Sequence, residues 1–299
     1  MAQTMLKTRV APFFKFAIER HNIWTRRNEG EKWPWTSDKI LQTYKFTNVF
    51  RELDAVTVWM RKNITQPNAN DDPMLMLFNC ALFRFTGSPA PYDAGTLPKW
   101  TNDFSAKVRT RYKTAMAGAI ANGQQVFTGA YIIPNLGLAM AKQDVVIDVI
   151  LKPLWEHLSE APKCFKPQNT MKPVFDWLHQ MDGMGGNGFM AYEIVTDLRW
   201  TSYYSNPPAD RMSWANAGPG ARRGLNRILD RDLDKRMSAT DACLEMGGLL
   251  EFANEGMWPS HFPKLEMRDI EHTLCEFDKY ERVRLKQGRP RSVYRQPTA

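Results

Sequence analysis

No segment of this 299-residue chain comes near the ~18 consecutive apolar residues that a membrane-spanning helix requires. Arg9 and Lys15 interrupt the first apolar stretch, so no secretory h-region can form there. Cysteine is scarce. Cys80, Cys164, Cys243 and Cys275 lie far apart, with no Cys-x-x-Cys and no histidines paired at metal spacing. This pattern argues against a structural zinc, an iron–sulfur cluster or a disulfide framework. Internal repeats and low-complexity tracts are also missing. These absences predict a cytoplasmic chain with reduced thiols (host-cell cytoplasm if the chain is phage-encoded), monomeric, with no membrane partner and no cofactor. A divalent metal is compatible with the sequence but not indicated by it.

What is present is apolar bulk and positive charge. The apolar fraction of 43%, with 10 Trp, 16 Phe and 16 Met, supplies a core for one large or two modest domains. Forty Lys and Arg against 32 Asp and Glu give a net charge of +8, which favours a polyanionic partner. The basic residues cluster. Residues 211–236 hold Arg211, Arg222, Arg223, Arg227, Arg231, Lys235 and Arg236. Residues 279–295 hold Lys279, Arg282, Arg284, Lys286, Arg289, Arg291 and Arg295 against Glu281 alone. Gly288, Pro290 and Pro297 make that tail an extended strip suited to a phosphate backbone.

Apolar periodicity is helical nearly throughout. Thr36 or Ser37 is placed to cap a long helix with the stripe Ile40, Tyr44, Phe46, Val49, Phe50, Leu53, Val56 and Met60. Asp72-Pro73 opens a helix that Gly87 stops, and Asn102 caps one reaching Asn122-Gly123. Residues 125–137 suit a short strand pair or an extended crossing. Helices resume over about 142–160, 218–236, 239–254 and 264–282. Between them, Val174 to Leu198 reads as two helices joined through Gly183-Met184-Gly185-Gly186. Glycines there allow positive φ and bring N–H groups to the surface, where the second helix N-terminus adds to an anion site. The expectation is an all-α, helix-hairpin-helix fold like that of DNA glycosylases, with one small β-hairpin at most. It is a single unit of two helical lobes around a cleft: lobe A about 9–140, lobe B about 141–254, and a C-terminal helix and basic tail, 264–299, packing across both.

Four constellations could carry chemistry. In a continuous helix Thr47, Arg51 and Asp54 share a face beside Asn48 and Glu52, a group suited to orienting a base edge or an amine. A salt-bridged exposed face would use the same residues. Gly218-Pro219-Gly220-Ala221-Arg222-Arg223 sets two arginines against helix N-terminal amides, an anion site. Asp197, near a helix end, is either functional or a surface partner of Arg199. His272 and Glu276, at i, i+4, are either a general base with its orienter or a helix-stabilising pair.

Together these blocks resemble the glycosylase-related enzymes of bacteriophage thymine hypermodification, the alpha-glutamyl/putrescinyl thymine pyrophosphorylases or amino acid:DNA transferases. They are Phe-Thr-Asn-Val-Phe-Arg-Glu-Leu-Asp, the glycine hairpin, Gly-Pro-Gly-Ala-Arg-Arg-Gly-Leu-Asn and Glu-His-Thr-Leu-Cys-Glu-Phe-Asp-Lys-Tyr. The first block is also similar to the helical domain shared with the 5-hydroxymethyluracil DNA kinases. No Gly-x-x-x-x-Gly-Lys-[Ser/Thr] occurs, so the resemblance is taken to imply the transferase and not the kinase. It implies double-stranded DNA with a modified pyrimidine as one substrate and a free amino acid or polyamine as the other, the amine displacing pyrophosphate from a flipped base. Arg222 and Arg223 would then stabilise the leaving group, and Asp54, Asp197, His272 or Glu276 would take the proton. Asn48, Arg51 and Lys279 would hold substrate. Gly183, Gly185, Gly186, Arg227, Arg282 and Arg284 would bind DNA. Ser213 to Ala221 holds no acid where glycosylases place one, Asn216 standing there. A divergent glycosylase and a non-catalytic DNA-binding accessory are the alternatives.

Overall fold

Helices account for every regular element among the described residues of the computed structural model, which are 2–163, 169–204, 207–290 and 292–294. The all-α expectation holds. No strand forms over 125–137, and the isolated bridge found pairs Tyr44 with Val293. Cys164, Arg291, Arg295 and Pro297 lie outside the described residues. No helix among the described residues is long and apolar enough to cross a membrane. Two units emerge, one made of 1–54 with 211–299 and the other of 55–210.

The first unit contains α1 (Ala2–Asn28), α2 (Lys39–Thr43), α11 (Pro219–Ile228), α12 (Ala239–Phe252) and α13 (Met267–Arg284). α13 starts with a reciprocal capping box between Glu266 and Asp269, which satisfies first-turn amides. Its Phe277 meets Phe13 and Phe16 of α1. On another side α11 comes unusually close. A Cβ at Gly224 would lie 2.5 Å from the Leu274 carbonyl oxygen, and one at Gly220 would strike Cys275. These two glycines set the helix separation.

The long helix expected from Thr36 to Met60 does not form. α2 is capped by Asp38, whose carboxylate accepts from the amides of Ile40 and Leu41, and it ends at Thr43. Residues 44–50 are irregular, followed by a 3-10 turn at Arg51–Leu53. Distant groups replace the helical hydrogen bonds there. The Lys45 amide donates to the Ser292 carbonyl (3.1 Å), the Thr47 amide to Glu276, and the Phe46 carbonyl accepts from Arg20. Backbone partners supplied from elsewhere outweigh the apolar periodicity.

The second unit contains α3 (Ala55–Met60), α4 (Pro73–Thr86), α5 (Ala90–Asp93), α6 (Ala106–Ala121), α7 (Lys142–Asp144), α8 (Lys152–Glu156), α9 (Met171–His179) and α10 (Phe189–Asp197). π-helical turns extend α3 over Arg61–Thr65 and join α7 to α8 over Val145–Leu151. α4 is the central helix, buried from Met76 to Thr86 on all sides. Its bounds follow the sequence signals: Asp72 caps its start, Pro73 occupies the first turn, and Gly87 closes it at φ +64°.

Two outcomes follow. Gly224→Ala must push α11 from α13 against backbone, and is expected to cost about 1–3 kcal/mol in chemical denaturation. His21 is 4% exposed among Trp24, Phe50 and Phe262, and its Nδ1 has no partner among the described residues. Burial first, then the nearby charges of Arg20 and His261, push its pKa from 6.5 down to about 4. Between those values the unfolded chain binds a proton that the folded one refuses, so stability falls as pH drops from 6.5 to 4. His21→Phe is expected to weaken that acid dependence, read as denaturation midpoints at about pH 5 and about pH 7.

Candidate functional site

A polar cluster forms in the first unit where segment 44–54 meets α13. Arg20, at the C-terminal half of α1, donates to the Phe46 carbonyl and to Asn48 Oδ1 at 3.0 and 2.8 Å. Asn48 donates through its backbone N–H and its Nδ2 to Asp54 Oδ1 at 3.1 and 2.9 Å. Arg51 lies 3.5 Å from Asp54 Oδ2. From α13, Glu276 accepts the Thr47 amide at 2.9 Å and pairs with Lys279 at 2.6 Å. The His272 imidazole Nε2 meets the Thr47 hydroxyl, and Lys279 lies over the Phe46 ring.

Six residues expected from the sequence therefore converge: Asn48, Arg51, Asp54, His272, Glu276 and Lys279. Irregular backbone and not a shared helix face brings the first three together. His272 and Glu276 both grip Thr47, one at its hydroxyl and the other at its amide. Burial pushes the Asp54 carboxyl above its ordinary range, although Arg51, the Asn48 N–H, Arg20 and Arg268 oppose that shift. Arg20 carried no site role in the sequence expectations. Arg268 is 5% exposed and within electrostatic range of Asp54, yet it makes no hydrogen bond or ion pair among the described residues. Its guanidinium carries donors suited to a carbonyl or phosphate oxygen.

The other expected residues are engaged elsewhere. Asp197 is bound to Arg84 of α4, its Oδ1 accepting from Nη2 at 2.6 Å, and Glu193 lies 3.4 Å from the same arginine. Arg84 is 2% exposed and its pKa is raised by these carboxylates. Arg222 donates to the carbonyls of Ala217 and Met237. Arg223, Arg227 and Arg282 gather on Asp278, and Arg284 forms a two-bond pair with Glu281, both at 2.7 Å. Gly183 and Gly185 have the positive φ expected of them, +82° and +89°. Gly183 is pressed against Ile150, Gly186 has open space, and the Met190 and Ala191 amides of α10 donate back to Met184. Val293 is tied to Tyr44, and Tyr294 stacks on Trp33.

The family described as 5-hmdU DNA kinase, helical domain, matches residues 7–289. The chain belongs to that family. The 5-hmdU DNA kinase of Bacillus phage SP10 is 29% identical over 290 residues, covering 90% of this chain and 44% of the phage protein. This chain thus spans less than half the length of that relative. No solved structure matches.

Membership corrects the resemblance drawn from sequence. The similarity to the kinase helical domain, credited above to one block, runs across nearly the whole chain and displaces the pyrophosphorylase and amino acid:DNA transferase assignment. The missing P-loop was not a valid ground for setting the kinase aside, because the matching family is defined on a helical domain. With the transferase go its amino acid or polyamine substrate, its pyrophosphate leaving group and the role given to Arg222 and Arg223.

Asp197→Asn is expected to leave Arg84 short of charge in the core and to cost about 3 kcal/mol or more in denaturation. A variant as stable as wild type would contradict this structural role for the pair.

Proposed function

We propose that this chain serves the phosphorylation of 5-hydroxymethyluracil in DNA, a step of base hypermodification, by holding the modified pyrimidine in the pocket of Asn48, Asp54, Arg268 and His272. The observation that carries the reading is the Asn48–Asp54 pair, oriented by two hydrogen bonds and within electrostatic range of Arg268, in a chain of the kinase helical-domain family. Pyrimidine edges offer carbonyl oxygens and one N–H. Arg268 supplies donors, Asp54 an acceptor, and Arg20 fixes the Asn48 amide so that its remaining N–H is aimed.

In the reaction the hydroxymethyl oxygen attacks the terminal phosphorus of a nucleoside triphosphate. A new O–P bond forms, the bond to the bridging oxygen breaks, and the nucleoside diphosphate leaves with the electron pair. The hydroxyl proton passes to Asp54, whose raised pKa makes it a stronger base than an ordinary carboxylate. The reading assigns this chain the DNA side of that reaction. A base must leave the duplex to enter the pocket.

The test compares binding of duplexes carrying 5-hydroxymethyluracil or thymine at matched salt. Wild type is expected to prefer the former, and Asp54→Asn and Arg268→Gln to lose about tenfold or more of that preference. Equal affinity of wild type for the two duplexes would sink the proposal. Stability separates a site effect from unfolding. Because the folded pKa of Asp54 is raised, its favourable contribution is present at low pH and lost as pH rises through that pKa. Asp54→Asn is therefore expected to keep its denaturation midpoint at about pH 7 at or above the wild-type value.

A further inference from the structure

Three arginines converge on one carboxylate at the α11–α13 contact. Arg223 and Arg227 are one turn apart on α11, and Asp278 and Arg282 are one turn apart on α13. Each arginine approaches Asp278 through Nε, at 2.9, 2.8 and 3.6 Å. The carboxylate is 1% exposed. None of the Nη groups of these arginines makes a hydrogen bond among the described residues, and the Arg227 Nη2 is buried without a partner. The neighbouring Glu281 is held by Arg284 and neutralises none of the three. The cluster thus holds three positive charges against one negative, and the Arg223 and Arg282 side chains are 36% and 39% exposed. A structural pair needs one arginine, and the other two add repulsion unless an anion joins them.

We propose that Arg223, Arg227 and Arg282 seat one backbone phosphodiester of the DNA strand that carries the modified base, Asp278 serving to orient the guanidiniums. The proposal rests on the DNA reading above. Guanidinium forks match the spacing of phosphate oxygens, and Nε contacts to Asp278 leave those forks unused. Arg282 follows His272 by ten residues, about 15 Å along the helix axis. At ~3.4 Å per nucleotide of one strand, the phosphate seated there is roughly four or five steps from the pyrimidine in the pocket.

The experiment replaces one phosphodiester at a time by a neutral methylphosphonate in a 5-hydroxymethyluracil duplex and measures binding by the full chain. Wild type is expected to lose about tenfold at one linkage four or five nucleotides from the modified base. Arg282→Gln and Arg223→Gln, both at part-exposed positions, are expected to bind modified and thymine duplexes more weakly to the same degree. Their salt slope should fall by about one, and that methylphosphonate should cost them little more. Arginine variants that keep the wild-type slope and methylphosphonate sensitivity overturn the phosphate seat. A wild type that shows the sensitive linkage but no preference for the modified base overturns the pocket reading and leaves the seat standing.

Discussion

The approach of α11 to α13 at Gly224 is the constraint on which the first unit depends. With no side chain at that position, the helix meets the Leu274 carbonyl nearly backbone to backbone. That short separation lets Arg223 and Arg227 reach Asp278, and it brings the Gly218 amide within 3.3 Å of Glu271. It leaves two other sides of α13 available. One takes the phenylalanines of α1, and the other takes Thr47 through His272 and Glu276. A bulkier residue at 224 would tilt α13 and displace all three contacts at once.

Buried arginines sort themselves by how fully their donors are used. Arg84 is saturated by Asp197 and Glu193 inside a helix-helix contact, which is the pattern of a structural ion pair retained because breaking it is costly. Arg268 is comparably buried and makes no bond among the described residues. The sequence alone offered no way to separate them, since Arg84 lies in an apolar helix and Arg268 in a polar one.

Where structure depends on neighbours along the chain, the sequence was readable. Asp72-Pro73 and Gly87 bound α4, because capping and left-handed closure are local chemistry. The region 36–60 was misread for the opposite reason. Its apolar spacing suits a helix, but Arg20, Glu276 and Ser292 supply its hydrogen bonds, and nothing within the window reveals them. The polar cluster was legible as composition: Asn48, Asp54, His272 and Glu276 stand in dense polar blocks among aromatics. Their geometry was not, and Arg20 was missed because it falls within an apolar-rich helix. Arg222 looked like an anion ligand from its position near a helix start, yet its donors go to two carbonyls.

The first unit is discontinuous in sequence, and that matters during synthesis. Residues 1–54 pack against partners that begin at 211, and α13 ends only at Arg284. The ribosome must add about 230 residues after Asp54 before that partner helix is complete, which at ~5–20 residues per second takes roughly 12–46 s. Through that interval Phe13, Phe14 and Phe16 have no α13 to cover them, while 55–210 emerges as one uninterrupted piece and can collapse first. Nascent chains stalled after residue 210 should therefore display a sticky amino-terminal helix, a natural client for chaperones that bind exposed aromatic segments.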